Sequence, residues 1–406
     1  MKRRDFLRYS AIMPVAAAAL HKGVAMPQQI TQADKQRPDS VTLFVAGDVM
    51  TGRGIDQVLP HPGDPRIFEP WSRSALDYVQ LAERTNGPIP RPVDFAYIWG
   101  DALAALDEAA PDVRIINLET AVTRKGSPWP GKGIQYRMHP DNIPCLTAAA
   151  IDGCVLANNH VLDWGYPGFE ETLATLAQAG LTTVGAGSCR AAAQAPAQFA
   201  ISGQSRVLVF ACGLHSSGIP AAWAATASTP GLNLLPDLSE NTLNEIATAV
   251  REYKRPGDVV VISLHWGGNW GYAIPEEHTR FAHALIDVAK VDLIHGHSSH
   301  HPLGIEVYQG KPILYGCGDL IDDYEGISGH EQFRSDLSLL YLVTLDRTSG
   351  DLVRLVMIPL RRRYFRLNPA TREESGWLRA TLDRESRILG ARVTQAGTAV
   401  LQLNWP

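Results

Sequence analysis

Paired cysteines, a basic excess and long apolar runs are all scarce in this sequence. Its five cysteines, Cys145, Cys154, Cys189, Cys212 and Cys317, are odd in number, and no two stand in a C-x-x-C spacing. That excludes the usual zinc and dithiol motifs. Cys154 and Cys212 lie inside apolar runs, where a thiol acts as a small hydrophobe; room is left for one disulfide. Charged residues make up only 19% of the 406, with a net charge of −5. This balance argues against a nucleic-acid partner, because phosphate binding needs a cationic surface. Beyond the first 25 residues no apolar run approaches the ~20 residues that span a bilayer. What the chain does have is 45% hydrophobic residues, enough to bury one large core or two smaller ones.

The opening MKRRDFLR places Arg3 and Arg4 ahead of Phe6 and Leu7, and the uncharged run YSAIMPVAAAAL follows. This order resembles a twin-arginine export signal. The run is too short to anchor the chain, so cleavage near Ala25 is expected, with a soluble product in a periplasm or outside the cell. Removing Met1 to Ala25 takes away five cations and one acid and leaves a charge of −9. Residues 26–40 are polar and aperiodic, as suits a linker.

From residue 41 short β-branched runs alternate with longer helical patterns. The runs begin at 41 (VTLFVAGDV), 113, 153, 206, 259, 291 and 311; helices are expected near 99–110, after Pro140, from 169 and from 275. The alternation predicts βα units, and strands apolar on both faces predict a layered α/β fold. Residues 338–360 alternate more strictly and predict a hairpin closing the sheet, so that 41–360 reads as one domain. Residues 361–406 read as a C-terminal appendage with a helix at 373–388. Residues 57–98, with seven prolines, interrupt the first βα unit and read as either a lid or surface decoration.

In open α/β sheets ligands bind outside the carboxyl ends of the strands. There this chain puts Asp48, then Asn117 and Glu119, then Asn158, Asn159 and His160, then His265, and finally His295, His297 and His300. A mixed set of carboxylates, amides and imidazoles suits zinc, manganese or iron better than calcium, which takes oxygen ligands. Ordinary alternatives exist for single members. Asp48 could cap a helix, His265 could be a core histidine bonded to backbone, and His295, His297, His300 and His301 could form a solvated loop. Glu119 is harder to explain so, since an acid behind an apolar strand is rarely buried unless paired or ligating. Taken together, the strand ends point to one metal site.

The motifs GDVMTGRG, NLET, ANNHVLDWG, HWGGNWGYAIPEEH and IHGHSSHHPLGIEVYQGKPILYGCGDL, in this order over roughly residues 41–345, resemble the capsule or poly-γ-glutamate synthesis family called CapA, an offshoot of the calcineurin-like metallophosphatases. The resemblance implies a layered α/β/β/α sandwich of metallophosphatase type. It also implies one or two divalent transition metal ions, manganese, iron or zinc. Carried over residue by residue, Asp48 becomes a terminal ligand, Glu119 the bridging carboxylate, and Asn159, His265, His297 and His300 further ligands. His160 becomes the acid that meets the leaving group, and Asp163, three residues on, orients its ring. The departures are Met50 where the parent has histidine, Glu119 in place of aspartate, and G-H-S-S-H in place of G-H-x-H.

Other residues suggest substrate contacts. Arg53 could grip a carboxylate or phosphate as a bidentate fork, or simply sit on the surface. The loop 123–140 gathers Arg124, Lys125, Lys132 and Arg137 with Tyr136, either a cradle for an anionic chain or a solvated basic loop. His278 and His283 read as structural, and Asp319 as a support for the histidine loop. The expected function is a metal-dependent hydrolase or transferase acting on an anionic polymer or peptide, working beside membrane-bound capsule synthesis proteins. Two alternatives remain: epimerase-like proton transfer without metal, with His160 facing His265, and a binding component that turns nothing over.

Overall fold

The computed structural model describes residues 39–201, 205–397 and 400–406; the export signal and almost all of the linker expected before residue 40 lie outside them. β1 (Ser40–Val49) is followed by the Pro-rich segment, which holds α1 (Leu76–Asn86), and then by α2 (Ala102–Ala109) and β2 (Val113–Leu118). Next come β3 (Gly153–Val155), α3 (Gly165–Gln178) and β4 (Thr182–Val184). The second half supplies β5 (Ala197–Ala200), β6 (Arg206–Gly213), α4 (Glu240–Tyr253), β7 (Val259–His265), α5 (Glu276–Asp287) and β8 (Leu293–His297). β9 (Ile305–Tyr308), β10 (Lys311–Leu314) and β11 (Asp319–Ile321) follow. The chain finishes with β12 (Leu337–Asp346), β13 (Leu352–Arg362), α6 (Arg372–Arg387), β14 (Arg392–Ala396) and β15 (Val400–Asn404).

One sheet runs β14-β15-β13-β12-β1-β2-β3-β4, with β11 added beside β1; the other runs β9-β10-β8-β7-β6-β5. β1 to β4 are mutually parallel, as are β6, β7, β8 and β10. Period-2 alternation explains how one set of strands fills three layers. Val41, Leu43 and Val45 of β1 meet Val207, Val209, Val259 and Val261 in a core between the sheets. Phe44 and Ala46 turn the other way, toward Val79, Ala82, Leu106 and Phe169 of α1 to α3. Leu208, Phe210, Val260 and Ile262 pack beneath Ile246, Val250, Phe281 and Leu285 of α4 and α5. This is the layered α/β fold that the strand patterns predict, in the α/β/β/α arrangement that the resemblance implies. Each fully buried side chain of this kind contributes about 1.5–3 kcal/mol.

The hairpin expected at 338–360 is β12 and β13, antiparallel from Leu337–Arg361 to Leu345–Leu352. Beyond it, α6 starts with a capping box between Thr371 and Glu374 and sends Leu378 and Leu382 into the core between the sheets. All five cysteines are free, four of them buried. No described helix is long and apolar enough to cross a membrane.

Candidate metal centre

The carboxyl ends of β1, β7 and β8 converge where the two sheets meet. β1 shifts register between Ala46 and Asp48, which sets Asp48 opposite Asn117 of β2 on one side and Asp319 of β11 on the other. Gly47 makes that crossing possible: a Cβ there would lie 1.8 Å from the Gly318 carbonyl oxygen, a distance that only glycine avoids. Beyond β8 the chain turns at Ser298 with φ 98°. A non-glycine residue held there stores about 1–3 kcal/mol of strain, a feature concentrated at functional sites.

Two groups of ligand atoms result, each drawn within 4.8 Å: Asp48 with His265 and His297, and Asp48 with His300 and Asp319. All five residues are buried. His265 Nδ1 lies 2.7 Å from His297 Nδ1, and His265 Nε2 lies 3.2 Å from Asn159 Oδ1, so Asn159 joins the first group. In the second, His300 Nδ1 is 2.9 Å from Asp319 Oδ1, while its Nε2 meets the Asn269 amide at 3.0 Å. His295 stands apart as a structural residue, held by Ser263 and the Ala46 carbonyl. The solvated histidine loop is not observed: His295, His297, His300 and His301 are all buried.

Burial shapes the electrostatics of both groups. Burial, reinforced by Asp319, pushes Asp48 up to about 7; burial and the Asp48 carboxylate hold Glu119 well above its usual range. Burial takes Asp319 up to about 6. The imidazoles move the other way, burial holding His265 and His297 well below 6.5, so both are neutral and offer lone pairs. Asp48 Oδ2 and Asp319 Oδ2 are buried with no hydrogen-bond donor, a state that costs about 1–3 kcal/mol for each unmet group. A divalent cation would satisfy both oxygens and the neutral imidazoles together. The cluster is therefore compatible with a metal site.

Glu119, the bridging carboxylate that the resemblance implies, lies next to these two groups. Asp48 is the carboxylate common to both groups, and Glu119 sits beside it, linked through Asn117 Nδ2, which donates to Asp48 at 2.8 Å and to Glu119 at 3.1 Å. Glu119 Oε1 lies 3.8 Å from His160 Nε2. Asn158 shapes this corner: it donates to Asn117 and to the Leu118 carbonyl and accepts from the His160 and Val161 amides. His160 Nδ1 is 2.6 Å from Asp163 Oδ2, the orienting contact expected of Asp163. Burial, with the nearby Lys132 ammonium, takes His160 down to about 4 although Asp163 pulls upward. The ring is thus neutral at rest, with Nδ1 between Asp163 and Lys132 and Nε2 on the Glu119 side.

The residues expected to hold an anionic substrate are occupied by protein partners. Arg53 is buried, its Nε and Nη2 on Asp323 at 2.8 and 2.5 Å and its Nη1 on Glu69 at 2.9 Å; its charge is met by two protein carboxylates. Lys132 turns inward, paired with Asp163 and donating to the Asn159 carbonyl, 2.9 Å from His160 Nδ1. Tyr136 is buried edge-on against the His160 ring at 4.7 Å and gives its amide to Asp163. Arg137 lies over the Trp164 ring at 3.7 Å and donates to the Asp64 carbonyl. Within the loop 123–140, Lys132, Tyr136 and Arg137 thus brace the centre, while Arg124 and Lys125 stay exposed. Reading the sequence alone missed that Asp319 belongs to the donor set and that Lys132 belongs to the His160 corner; the only hint was the Gly-Asp pair at 318–319, which repeats the Gly-Asp pair at 47–48.

Residues 42–324 match the family described as bacterial capsule synthesis protein PGA_cap. A probable polyglutamine synthesis accessory protein of Mycobacterium tuberculosis is 51% identical over 367 residues, 90% of this chain and 96% of that one. The PGA biosynthesis protein CapA of Bacillus subtilis is 28% identical over 287 residues, 70% of this chain and 64% of that one. Among solved structures, a novel phosphatase from Mycoplasma pneumoniae aligns with 79% of this chain and 94% of its own at 11% identity and a TM-score of 0.42.

Proposed function

The chain belongs to the bacterial capsule synthesis PGA_cap family, and from that membership we propose that it is an accessory protein of capsule or polyglutamate synthesis that hydrolyses a polymer-linked amide or ester at a divalent transition metal centre. The observation carrying this reading is the pair of buried donor groups that share Asp48, with Asp48 Oδ2 and Asp319 Oδ2 left without donors. Asp48, His265, His297 and Asn159 would hold one ion; Asp48, His300 and Asp319 a second. An ion bound there would supply Lewis acidity.

The chain's own groups do the rest. Neutral His160, oriented by Asp163, takes a proton from the attacking water at Nε2 and gives it to the leaving group as the bond breaks. Lys132 anchors Asp163 and favours the neutral ring. Asn117 keeps Asp48 and Glu119 side by side. The paired arginines Arg3 and Arg4 support placing this activity outside the cytoplasm, after export of the folded protein.

Elemental analysis of the purified protein, without a histidine tag, combined with assays of γ-glutamyl amides and phosphoesters, tests the reading. One or two equivalents of metal, with turnover that disappears on chelation and in His160→Ala, would support it. Absence of metal after reconstitution, or turnover indifferent to chelator, would refute it.

A further inference from the structure

Beside the second donor group lies a cavity of about 460 Å³ into which His300 faces, within the ~300–1,000 Å³ usual for small-ligand sites. Its walls include Trp71 and Leu81 from the Pro-rich segment, Ile134, Trp270 and Ile327. No carboxylate lines it. Its only arginine, Arg53, is neutralised by Asp323 and Glu69 and covered by the Tyr78 ring at 3.6 Å. A γ-glutamyl unit would bring a carboxylate to this cavity and find no free cation.

The apolar walls are unusually open. Trp71 is 66% exposed and Ile327 41% exposed, two of five large hydrophobic side chains exposed among the described residues, and both border this one cavity. Trp270 presents a rigid flat wall, stacked on His330 with centroids 3.9 Å apart and planes 5° from parallel. Clustered exposed apolar surface of this kind marks a binding site. Polar groups are fewer along these walls: Asn269 is the sole amide and is engaged by His300, and Ser328 and Ser335 add two hydroxyls with no carboxylate beside them to fix a sugar.

We propose that this cavity is a specificity subsite for a flat, uncharged apolar group of the substrate, about the size of an aromatic side chain, packed against Trp71, Trp270 and Ile327. The group would bring the adjoining backbone amide to the His300 side of the centre. This rests on the reading of that centre as the reacting site, and it narrows the substrate from an anionic polymer to a chain that carries a neutral ring next to the bond attacked.

The test is a set of calorimetric titrations of the full-length protein, metal-loaded and metal-stripped, with N-acetylphenylalanine amide, N-acetylglutamate α-amide and methyl glucoside. Trp71→Ala and Ile327→Ala serve as variants, since both side chains are exposed; Trp71→Phe, which keeps the ring but not the N–H that Trp71 gives to the Tyr78 hydroxyl at 2.7 Å, separates wall from hydrogen bond, and thermal melts verify that each variant folds. The aromatic amide is expected to bind alone, and each variant to weaken it roughly five- to tenfold, as loss of a packed aromatic or aliphatic wall does. Equal binding of the acidic amide or the glucoside, no binding of the aromatic amide, or aromatic binding indifferent to both substitutions would overturn the proposal. Ring binding that persists in protein unable to retain metal would instead uphold the subsite and sink the metal reading.

Discussion

The two sheets bring opposite chemistry to the same junction. The first ends in acids: Asp48 on β1, Glu119 behind β2 and Asp319 on β11. The second ends in imidazoles: His265 on β7 and His297 on β8, with His300 just beyond. Alone, the first would be a crowd of mutually repelling carboxylates with pKa values pushed up by burial. The second alone would be a set of histidines held neutral by it. Side by side, the two halves form one buried donor set compatible with a cation between them.

The most severe way to break this arrangement is Asp48→Asn, because Asp48 serves both donor groups. Metal affinity should fall by more than the ~10–100-fold seen when only an outer partner is removed, measured by equilibrium dialysis. The same substitution removes a buried charge that repels its neighbours, so the metal-free variant should melt no lower than the metal-free parent. Next come substitutions on one side only. His265→Ala should abolish one ion and spare the other, and Asp319→Asn the reverse. Metal stoichiometry counts the two cases, and loss of both ions from either variant would show the groups to be a single site.

pH sharpens the contrast between the sheets. The acids have folded pKa values raised above their unfolded ones, so their contribution to the stability of metal-free protein is full below about 4 and is lost as pH rises through about 6 to 7. The imidazoles, depressed below 6.5, contribute stability above that value and lose it as pH falls. Metal-free protein should therefore weaken on both flanks. Added metal should restore stability mainly on the alkaline flank, where the carboxylates are ionised. Urea melts across pH 4 to 8, with and without metal, would reveal this; a metal effect greatest at low pH would contradict it.

Smaller effects probe the His160 corner and the surface. Lys132→Met removes a cation that lowers His160, so the acid limb of the rate profile should move to higher pH. Arg124→Ala should change stability by no more than about 0.5 kcal/mol, since its side chain is 60% exposed and reaches Glu171 only at 3.9 Å.

Much of this was legible in the sequence, for a physical reason. Parallel strands buried on both faces read as continuous apolar runs, so β1, β2, β6, β7 and β8 announce themselves, and the polar residue ending each run marks the site. What could not be read is how strands far apart in sequence lie side by side. Asp319 joins Asp48 because β11 pairs with β1 across some 270 residues, a contact that no local pattern encodes. The partners of Arg53, Lys132, Tyr136 and Arg137 were hidden for the same reason. A cation in a loop looks available until the acid that holds it is found, as with Arg53 and Asp323.

Anomalous X-ray diffraction from crystals of the metal-loaded protein, collected at the metal's absorption edge, tests the central claim most directly. Density is expected touching Asp48, between His265 and His297 on one side and between His300 and Asp319 on the other. Absence of an anomalous peak at Asp48, or a peak elsewhere in the molecule, would contradict it.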